Sequence, residues 1–293
     1  MFFWQIILNS LVLGTQVLLL AVPLYLVYSV SKIYHLALGA VGIAAAYGLY
    51  FALSNNLPLI IAIAISVLVS LVLSIASYLL LEASARKKEA MFGLLLSLAF
   101  GITLESLIAI IFKTDAKSII GGVLPTIALG DLYITVPGII TIVVGFFLAV
   151  FFILLVKKTP WGRDLRSVAE NNSLSSSITI NSSLVRLSVF VIAGLLAGFV
   201  AIMTVMNTAL TPQAGFPLVI LAFVAMFIGG VFDIRGLVIS SYLVTLVPEL
   251  IISLSPDNLS LSSNWKMAIV FMLAIIILAW RPNGLFTNKV RVD

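Results

Sequence analysis

The chain has 293 residues, of which 62% are hydrophobic and 9% charged, and its mean hydropathy is +1.25. Soluble domains are about 45–50% apolar and about 25% charged, so this composition excludes a soluble globular domain and indicates that lipid covers most of the surface. Zero cysteines and one histidine exclude a disulfide framework, thiolate metal sites and a His-rich metal centre, and no bound metal is expected.

Nine apolar stretches predict an all-α, polytopic transmembrane bundle of about nine spans, within a range of eight to ten. They lie at about residues 4–30, 33–53, 58–81, 91–112, 134–156, 186–206, 214–232, 236–254 and 265–281. The first stretch lacks the basic segment and small-residue cleavage site of a signal peptide, so we expect it to stay as the first helix. One transmembrane domain is predicted over residues 1–293.

The second and seventh stretches have the least helix-like sequences. Three glycines interrupt the second, and Pro212 and Pro217 lie at the start of the seventh. Both are expected to be broken or partly re-entrant helices. A weak internal repeat is also indicated between residues 37–48 and 224–236, because each segment is rich in small residues and precedes a polar break and a long apolar span.

The lysines and arginines predict the orientation. If the last span ends in the cytoplasm, alternate loops place 13 of the 16 basic residues on the cytoplasmic side. The remaining three, Lys113, Lys117 and Lys266, lie on the other side. Because short cytoplasmic loops carry an excess of Lys and Arg, this predicts an external N-terminus and a cytoplasmic C-terminus. The net charge of +5 therefore reflects topology, and no nucleic acid partner is expected.

The longest polar loop on the predicted cytoplasmic side covers residues 157–185. Thr159–Pro160 is typical of an N-cap followed by the first helical residue. Trp161, Leu165 and Val168 then follow at i, i+4 and i+7, which predicts a short amphipathic helix. Two interpretations are open: the helix lies on lipid headgroups, or it docks in the groove of a partner protein. Nearby acidic and amide residues favour the partner.

Two polar residues lie in or beside predicted spans. Glu105 must face the bundle interior, pair or be protonated, so it is either a pathway or proton-linked group or a hydrogen-bond anchor between helices. His35 either reaches a transported solute or, as is more common for a lone histidine near the interface, is structural. The sequence has no phosphate loop, nucleophile elbow or HExxH motif, and no enzyme activity is expected. An autonomous secondary carrier with Glu105 as proton site and, more remotely, an intramembrane enzyme are the alternatives.

Four segments occur in an order that resembles a known family. The first is His35–Gly39 with Tyr47 downstream, the third is Gly229–Gly236, and the fourth is Arg281–Phe286. The second, and the strongest, lies within residues 160–203 and contains Gly162, Arg163, Arg166, Ala169, Glu170, Asn171, Ile180 and Asn181. Together they resemble the membrane permeases of ATP-binding-cassette (ABC) importers in the branched-chain amino acid permease family, in particular the shorter, H-type subunit.

The sequence also departs from the pattern of that family. Thr179 and Phe232 stand where the family usually has glycine, and His35 and Leu38 replace its Asn and His. Because three of these departures lie near the expected pathway, they bear on the identity of the substrate and not on the architecture.

The resemblance implies a permease subunit in a prokaryotic inner membrane that imports a branched-chain or other hydrophobic amino acid, or a similar small solute. Its partners would be cytoplasmic ATPase subunits that hydrolyse ATP, a second identical or related permease subunit and an extracytoplasmic solute-binding protein, and this chain itself would bind no cofactor. Residues 157–185 would form the loop that couples the permease to the ATPase, through Trp161, Gly162, Arg163, Leu165, Arg166, Ala169, Glu170 and Asn171. The translocation pathway would include His35, Leu38, Gly39, Tyr47, Glu105, Gly229 and Gly230.

Overall fold

The described residues form ten α-helices and one β-hairpin. The computed structural model describes residues 2–87, 90–118, 126–130, 132–171, 175, 180–230, 234–254 and 262–286. The elements are α1 (Phe2–Ser31), α2 (Leu38–Ser54), α3 (Leu59–Lys87), α4 (Ala90–Phe112), β1 (Thr126–Leu129), β2 (Leu132–Thr135), α5 (Val136–Lys158), α6 (Pro160–Glu170), α7 (Ser182–Asn207), α8 (Gly215–Gly229), α9 (Ile234–Ser253) and α10 (Lys266–Trp280), with a 3₁₀ turn at Ser263–Trp265.

Nine of these helices are apolar and match the nine predicted stretches in order. Seven of them, including α10 with its 3₁₀ turn, are long and apolar enough to cross a membrane. The other two, α2 and α8, have 17 and 15 residues. At about 1.5 Å per residue they reach about 26 and about 22 Å, less than the roughly 30 Å of a bilayer core. The prediction of an all-α, polytopic membrane protein is confirmed, and the two stretches with the least helix-like sequences form the two short helices.

Helix α1 is the buried axis of the bundle. It contacts α5, α7, α8 and α9, and its residues 17–24 are almost completely covered by the protein. One of its polar groups links it to α9: the hydroxyl groups of Thr15 and Tyr242 lie 3.1 Å apart. The apolar N-terminal stretch is therefore an integral part of this bundle.

The two short helices meet at their first turns. A Cβ atom added to Gly39 would lie 2.5 Å from the carbonyl oxygen of Gly215, and one added to Gly215 would overlap the backbone of Gly39. Real Cβ contacts are never this short, so only glycine allows the two backbones to touch. In lipid, such close contact between small residues takes the place of the hydrophobic effect in holding helices together.

Substituting Gly39 by Ala is expected to destabilise the chain by about 1–3 kcal/mol, because the added methyl group must push two backbones apart. The matched control is Gly48→Ala, whose Cβ atom would meet the tip of the Val69 side chain at 3.2 Å, a contact that a small side-chain shift relieves. Thermal unfolding of both variants in detergent measures the difference. Equal midpoints for the two variants would show that the α2–α8 contact is not tight.

The helix ends form two layers on opposite sides of the bundle. On one side, which we call the hairpin side, the Gln5 side chain bonds the backbone of Tyr133 in β2, and Lys117 pairs with Leu210. On the other, the α6 side, the Lys32 ammonium donates to the carbonyl oxygen of Ala169 at 3.3 Å. Along the chain, successive described helix ends lie alternately in these two layers. The count of basic residues in the sequence analysis assumes this alternation.

The two segments of the predicted internal repeat occupy different positions in the two short helices. Residues 37–48 lie at the start of α2, whereas residues 224–236 begin in the second half of α8, and 231–233 lie outside the described residues. The two short helices instead share the contact between their first turns. The repeat therefore stays a prediction.

Candidate functional site

The predicted amphipathic helix is present as α6. The hydroxyl oxygen of Thr159 accepts a hydrogen bond from the Gly162 amide at 3.1 Å, which is the expected N-cap, and Pro160 is the first helical residue. Leu165 and Val168 are each 2% exposed and belong to the main core of the bundle. The prediction of a short helix with one apolar face is confirmed.

The apolar face of α6 packs on its own chain. Gly162 lies so close to the Val156 carbonyl group that a Cβ atom would overlap it, and the Arg166 guanidinium donates to the same oxygen. The Trp161 indole N–H donates to the Ser188 hydroxyl at 2.9 Å. Helix α6 is thus fastened to α5 and α7, in addition to the bond from Lys32 described above.

This packing shows what covers the apolar face of the helix. The sequence left open whether the helix lies on lipid headgroups or docks in the groove of a partner, and the core of the same chain buries Gly162 and Leu165. The face that stays accessible is polar and includes Arg163, Glu170 and the adjacent Asn171. Helix α6 therefore exposes charged side chains on one face, while its opposite face packs against the bundle.

A second region of interest lies where α2 and α8 meet. A cavity of about 180 Å³ lies between their first turns and the middle of α4. Its lining residues are Leu36, Ala37, Ala40, Leu98, Gly101, Ile102, Glu105 and Phe216. This wall is apolar apart from the carboxyl group of Glu105, so the cavity combines an apolar surface with one ionisable group.

The Glu105 side chain is partly exposed and forms no hydrogen bond or ion pair with any residue in the described part of the chain. Among the described residues, the interpretation as a hydrogen-bond anchor between helices therefore has no partner to support it. An ionisable group at membrane depth is costly unless a cavity, a ligand or another subunit receives it. Glu105 is the one predicted pathway residue that lines this cavity.

His35 is buried and contacts two neighbouring helices. It is 1% exposed, its Nδ1 atom lies 3.1 Å from the Ser97 hydroxyl oxygen, and its ring packs against Phe190. The same hydroxyl oxygen accepts from the Ala37 amide at 3.0 Å. Ser97 thereby holds the connection between α1 and α2 along α4, which sets the depth at which α2 begins.

The remaining predicted pathway residues do not line this cavity. Leu38 and Tyr47 are each 1% exposed in the core. Gly229 and Gly230 lie on the α6 side, where the amides of Leu285 and Phe286 donate to Ile228 and Gly229. Two glycines of the third and fourth sequence segments have left-handed backbone conformations, with φ of +100° at Gly230 and +83° at Gly284.

An ion pair between two helices was missed at the sequence level. Arg186 of α7 donates to both carboxylate oxygens of Glu82 in α3, from Nε at 3.1 Å and from a terminal nitrogen at 2.8 Å. Their side chains are 5% and 11% exposed. The signal in the sequence was Arg186, near the start of a strongly apolar helix. We used this arginine only in the count of basic residues that predicts the orientation.

Comparisons with known proteins cover most of the chain. A family model described as branched-chain amino acid transport system / permease component matches residues 6–278. The high-affinity branched-chain amino acid transport system permease protein BraD of Pseudomonas aeruginosa is 24% identical over 301 residues, which cover 96% of this chain and 94% of that protein. The probable branched-chain amino acid transport permease protein LivH of Methanocaldococcus jannaschii is 25% identical over 255 residues, 83% and 79% of the two chains.

Among solved structures, PsaBC from Streptococcus pneumoniae in complex with Fab aligns with a TM-score of 0.47 and 13% identity, and the alignment covers 92% of this chain and 90% of that one.

Proposed function

Because the chain belongs to the branched-chain amino acid transport permease family, whose model matches residues 6–278, we propose that it imports a branched-chain or other hydrophobic amino acid as the membrane subunit of an ABC importer. The chain is a membrane-spanning transport permease and not an enzyme. In this proposal a separate ATPase supplies the energy, an extracytoplasmic binding protein delivers the substrate, and a second permease subunit completes the pathway. The observation that carries the proposal is the family match over nearly the whole chain.

We place the protein in a prokaryotic inner membrane with the α6 side in the cytoplasm. Thirteen basic residues lie on the predicted cytoplasmic side and three on the other side, which supports this orientation. It brings α6 and the described part of the coupling loop 157–185 to the side on which ATP is available.

The accessible face of α6 is proposed as the contact with the ATPase. Arg163 and Glu170 lie on that face, while Gly162 and Leu165 anchor the helix to the bundle. A force on a helix that is fastened to α5 and α7 is transmitted to both. Alternation between inward-open and outward-open states then requires two packings of the bundle whose populations are shifted by ATP and substrate.

The 180 Å³ cavity is proposed as part of the translocation pathway. A hydrophobic amino acid carries an ammonium group and an aliphatic side chain, and the cavity offers a carboxylate at Glu105 within an apolar wall. The first turns of α2 and α8 also border the cavity, and helix N-termini favour a carboxylate.

Replacing Glu105 by Gln is expected to lower transport at least about tenfold, because a charge-assisted hydrogen bond to the substrate contributes about 1.5–3 kcal/mol. Initial rates of leucine uptake, normalised to the amount of assembled protein, measure the effect. Ser106→Ala serves as the control, since it changes an exposed neighbour that does not line the cavity. Wild-type uptake by Glu105→Gln would remove this residue from the pathway.

The proposed function is tested with right-side-out membrane vesicles, loaded with ATP, from cells with and without the gene for this chain. Uptake of labelled leucine, isoleucine or valine should need this chain, ATP on the cytoplasmic face and the binding protein. Uptake driven by a proton gradient in the absence of ATP would instead support the autonomous carrier.

A further inference from the structure

The cavity of about 180 Å³ beside Glu105 contains a cluster of very small residues. A Cβ atom added to Gly101 would lie 3.3 Å from the Cα atom of Ala37 and 3.9 Å from the Cβ atom of Ala40, so these three lining residues are adjacent. The other apolar lining residues are large: Leu36, Leu98, Ile102 and Phe216. The small residues therefore leave room at the point where α4 passes the start of α2.

Helix packing does not require a glycine at residue 101. At Gly39 an added Cβ atom would lie 2.5 Å from a carbonyl oxygen, whereas at Gly101 the nearest atom would be at 3.3 Å, a close contact without overlap. Glycine in the interior of a helix is also less stable than alanine. Neither packing nor helix stability accounts for this glycine, whereas the space that it leaves in the cavity does.

Three lining residues of α4 lie along one face of that helix. Leu98, Gly101 and Glu105 follow at i, i+3 and i+7, a spacing that places side chains on the same face. Glu105 lies about 6 Å nearer the hairpin side than Gly101, and Leu98 lies about 4.5 Å nearer the α6 side. A ligand whose cationic group meets Glu105 can therefore extend its apolar part across Gly101 until it reaches Leu98.

The wall opposite Gly101 is held in place by hydrogen bonds. The Ser97 hydroxyl oxygen accepts from the Ala37 amide at 3.0 Å and lies 3.1 Å from the Nδ1 atom of His35. Ala37 and Ala40 are almost completely buried. Because close-packed interiors yield little, a methyl group added at residue 101 would take its room mainly from the cavity.

We propose that Gly101 determines how long an aliphatic side chain the cavity accepts. The ammonium group of the amino acid lies at Glu105, and its side chain lies over Gly101 with its end against Leu98. Gly101 is then a specificity-determining residue that admits leucine as well as the shorter valine. This inference rests on the proposed function, in which the cavity is part of the translocation pathway.

The test measures the ratio of leucine to valine uptake in right-side-out vesicles loaded with ATP and supplied with the binding protein. Gly101→Ala should lower this ratio at least about tenfold relative to the wild type, as expected when a hydrophobic pocket loses room for one methylene group. Adding Leu98→Ala to Gly101→Ala should restore most of the ratio, because it returns length at the far end. Selection by the binding protein is the same for every variant and cancels in this comparison.

The matched control is Ala99→Val, which adds bulk to an exposed residue of the same helix that does not line the cavity. It should keep the wild-type ratio. A Gly101→Ala protein that loses leucine and valine uptake by the same factor, or a double variant whose ratio is not restored, would overturn the inference while leaving the proposed function intact. Wild-type vesicles that take up neither amino acid would contradict the proposed function, and this inference with it. Thermal unfolding in detergent confirms that each variant is folded.

Discussion

Arg186→Ala is expected to destabilise the folded chain by about 3–5 kcal/mol, because removing one partner leaves the other charge of a buried pair without compensation. The guanidinium makes two hydrogen bonds to Glu82, at 2.8 and 3.1 Å. The pair joins α3 to α7 beside a second link, in which the Tyr78 hydroxyl donates to the Ser183 carbonyl oxygen at 3.2 Å. Thermal unfolding in detergent and the yield of monodisperse protein report the loss.

A double variant separates the ion pair from the size of the side chain. Glu82→Gln with Arg186→Met removes both charges together and should recover most of the stability, since a neutral replacement of a buried pair is often tolerated. Lys113→Ala, which removes an exposed cation on the hairpin side, should behave as the wild type. An Arg186→Ala protein with the wild-type unfolding temperature would contradict the structural role of the pair.

Exchanging the charges on the accessible face of α6, by Arg163→Glu with Glu170→Arg, is expected to lower ATP-driven uptake at least about tenfold. Interfacial charge pairs commonly contribute 2 kcal/mol or more when one sign is reversed, because repulsion replaces attraction. Both side chains are exposed, so the bundle should fold normally. Uptake in membrane vesicles and thermal unfolding are to be measured on the same preparations.

The control for this exchange is Lys113→Glu, a charge reversal on the hairpin side. It should transport as the wild type does. If the exchanged variant also transports normally, the accessible face of α6 is not the coupling surface. If it fails to fold, the side chains have a structural role that the exposed positions do not indicate.

The helix count and the position of α6 follow from local sequence signals. Apolar runs of about 20 residues have one stable solution in a bilayer, so nine stretches predicted nine helices. Thr159–Pro160 fixed the start of α6 because the cap bond and the restricted φ of proline act within one turn. From the glycines of the second stretch and the prolines of the seventh we expected broken or partly re-entrant helices; each of the two stretches forms one continuous helix that is too short to span.

The partners of side chains could not be predicted in the same way. An amphipathic pattern gives the direction of the apolar face of α6 but not which helices cover it, and here they are α1, α5 and α7. The Glu82–Arg186 pair joins residues 104 positions apart, which no local pattern reports. The contact of Gly229 with the amide of Phe286 joins segments that lie far apart in the sequence, so no local pattern reports it, and the pathway role of Gly229 and Gly230 stays a prediction.

The central claim is that this chain is the membrane subunit of an importer with a separate ATPase. Extraction of the tagged chain from its native membrane in a mild detergent, followed by identification of the co-purifying chains by mass spectrometry, tests it most directly. We predict that a nucleotide-binding ATPase co-purifies with the wild type and is lost when Arg163 and Glu170 are exchanged. Purification of the chain alone, under conditions that keep a known importer complex intact, would contradict the claim.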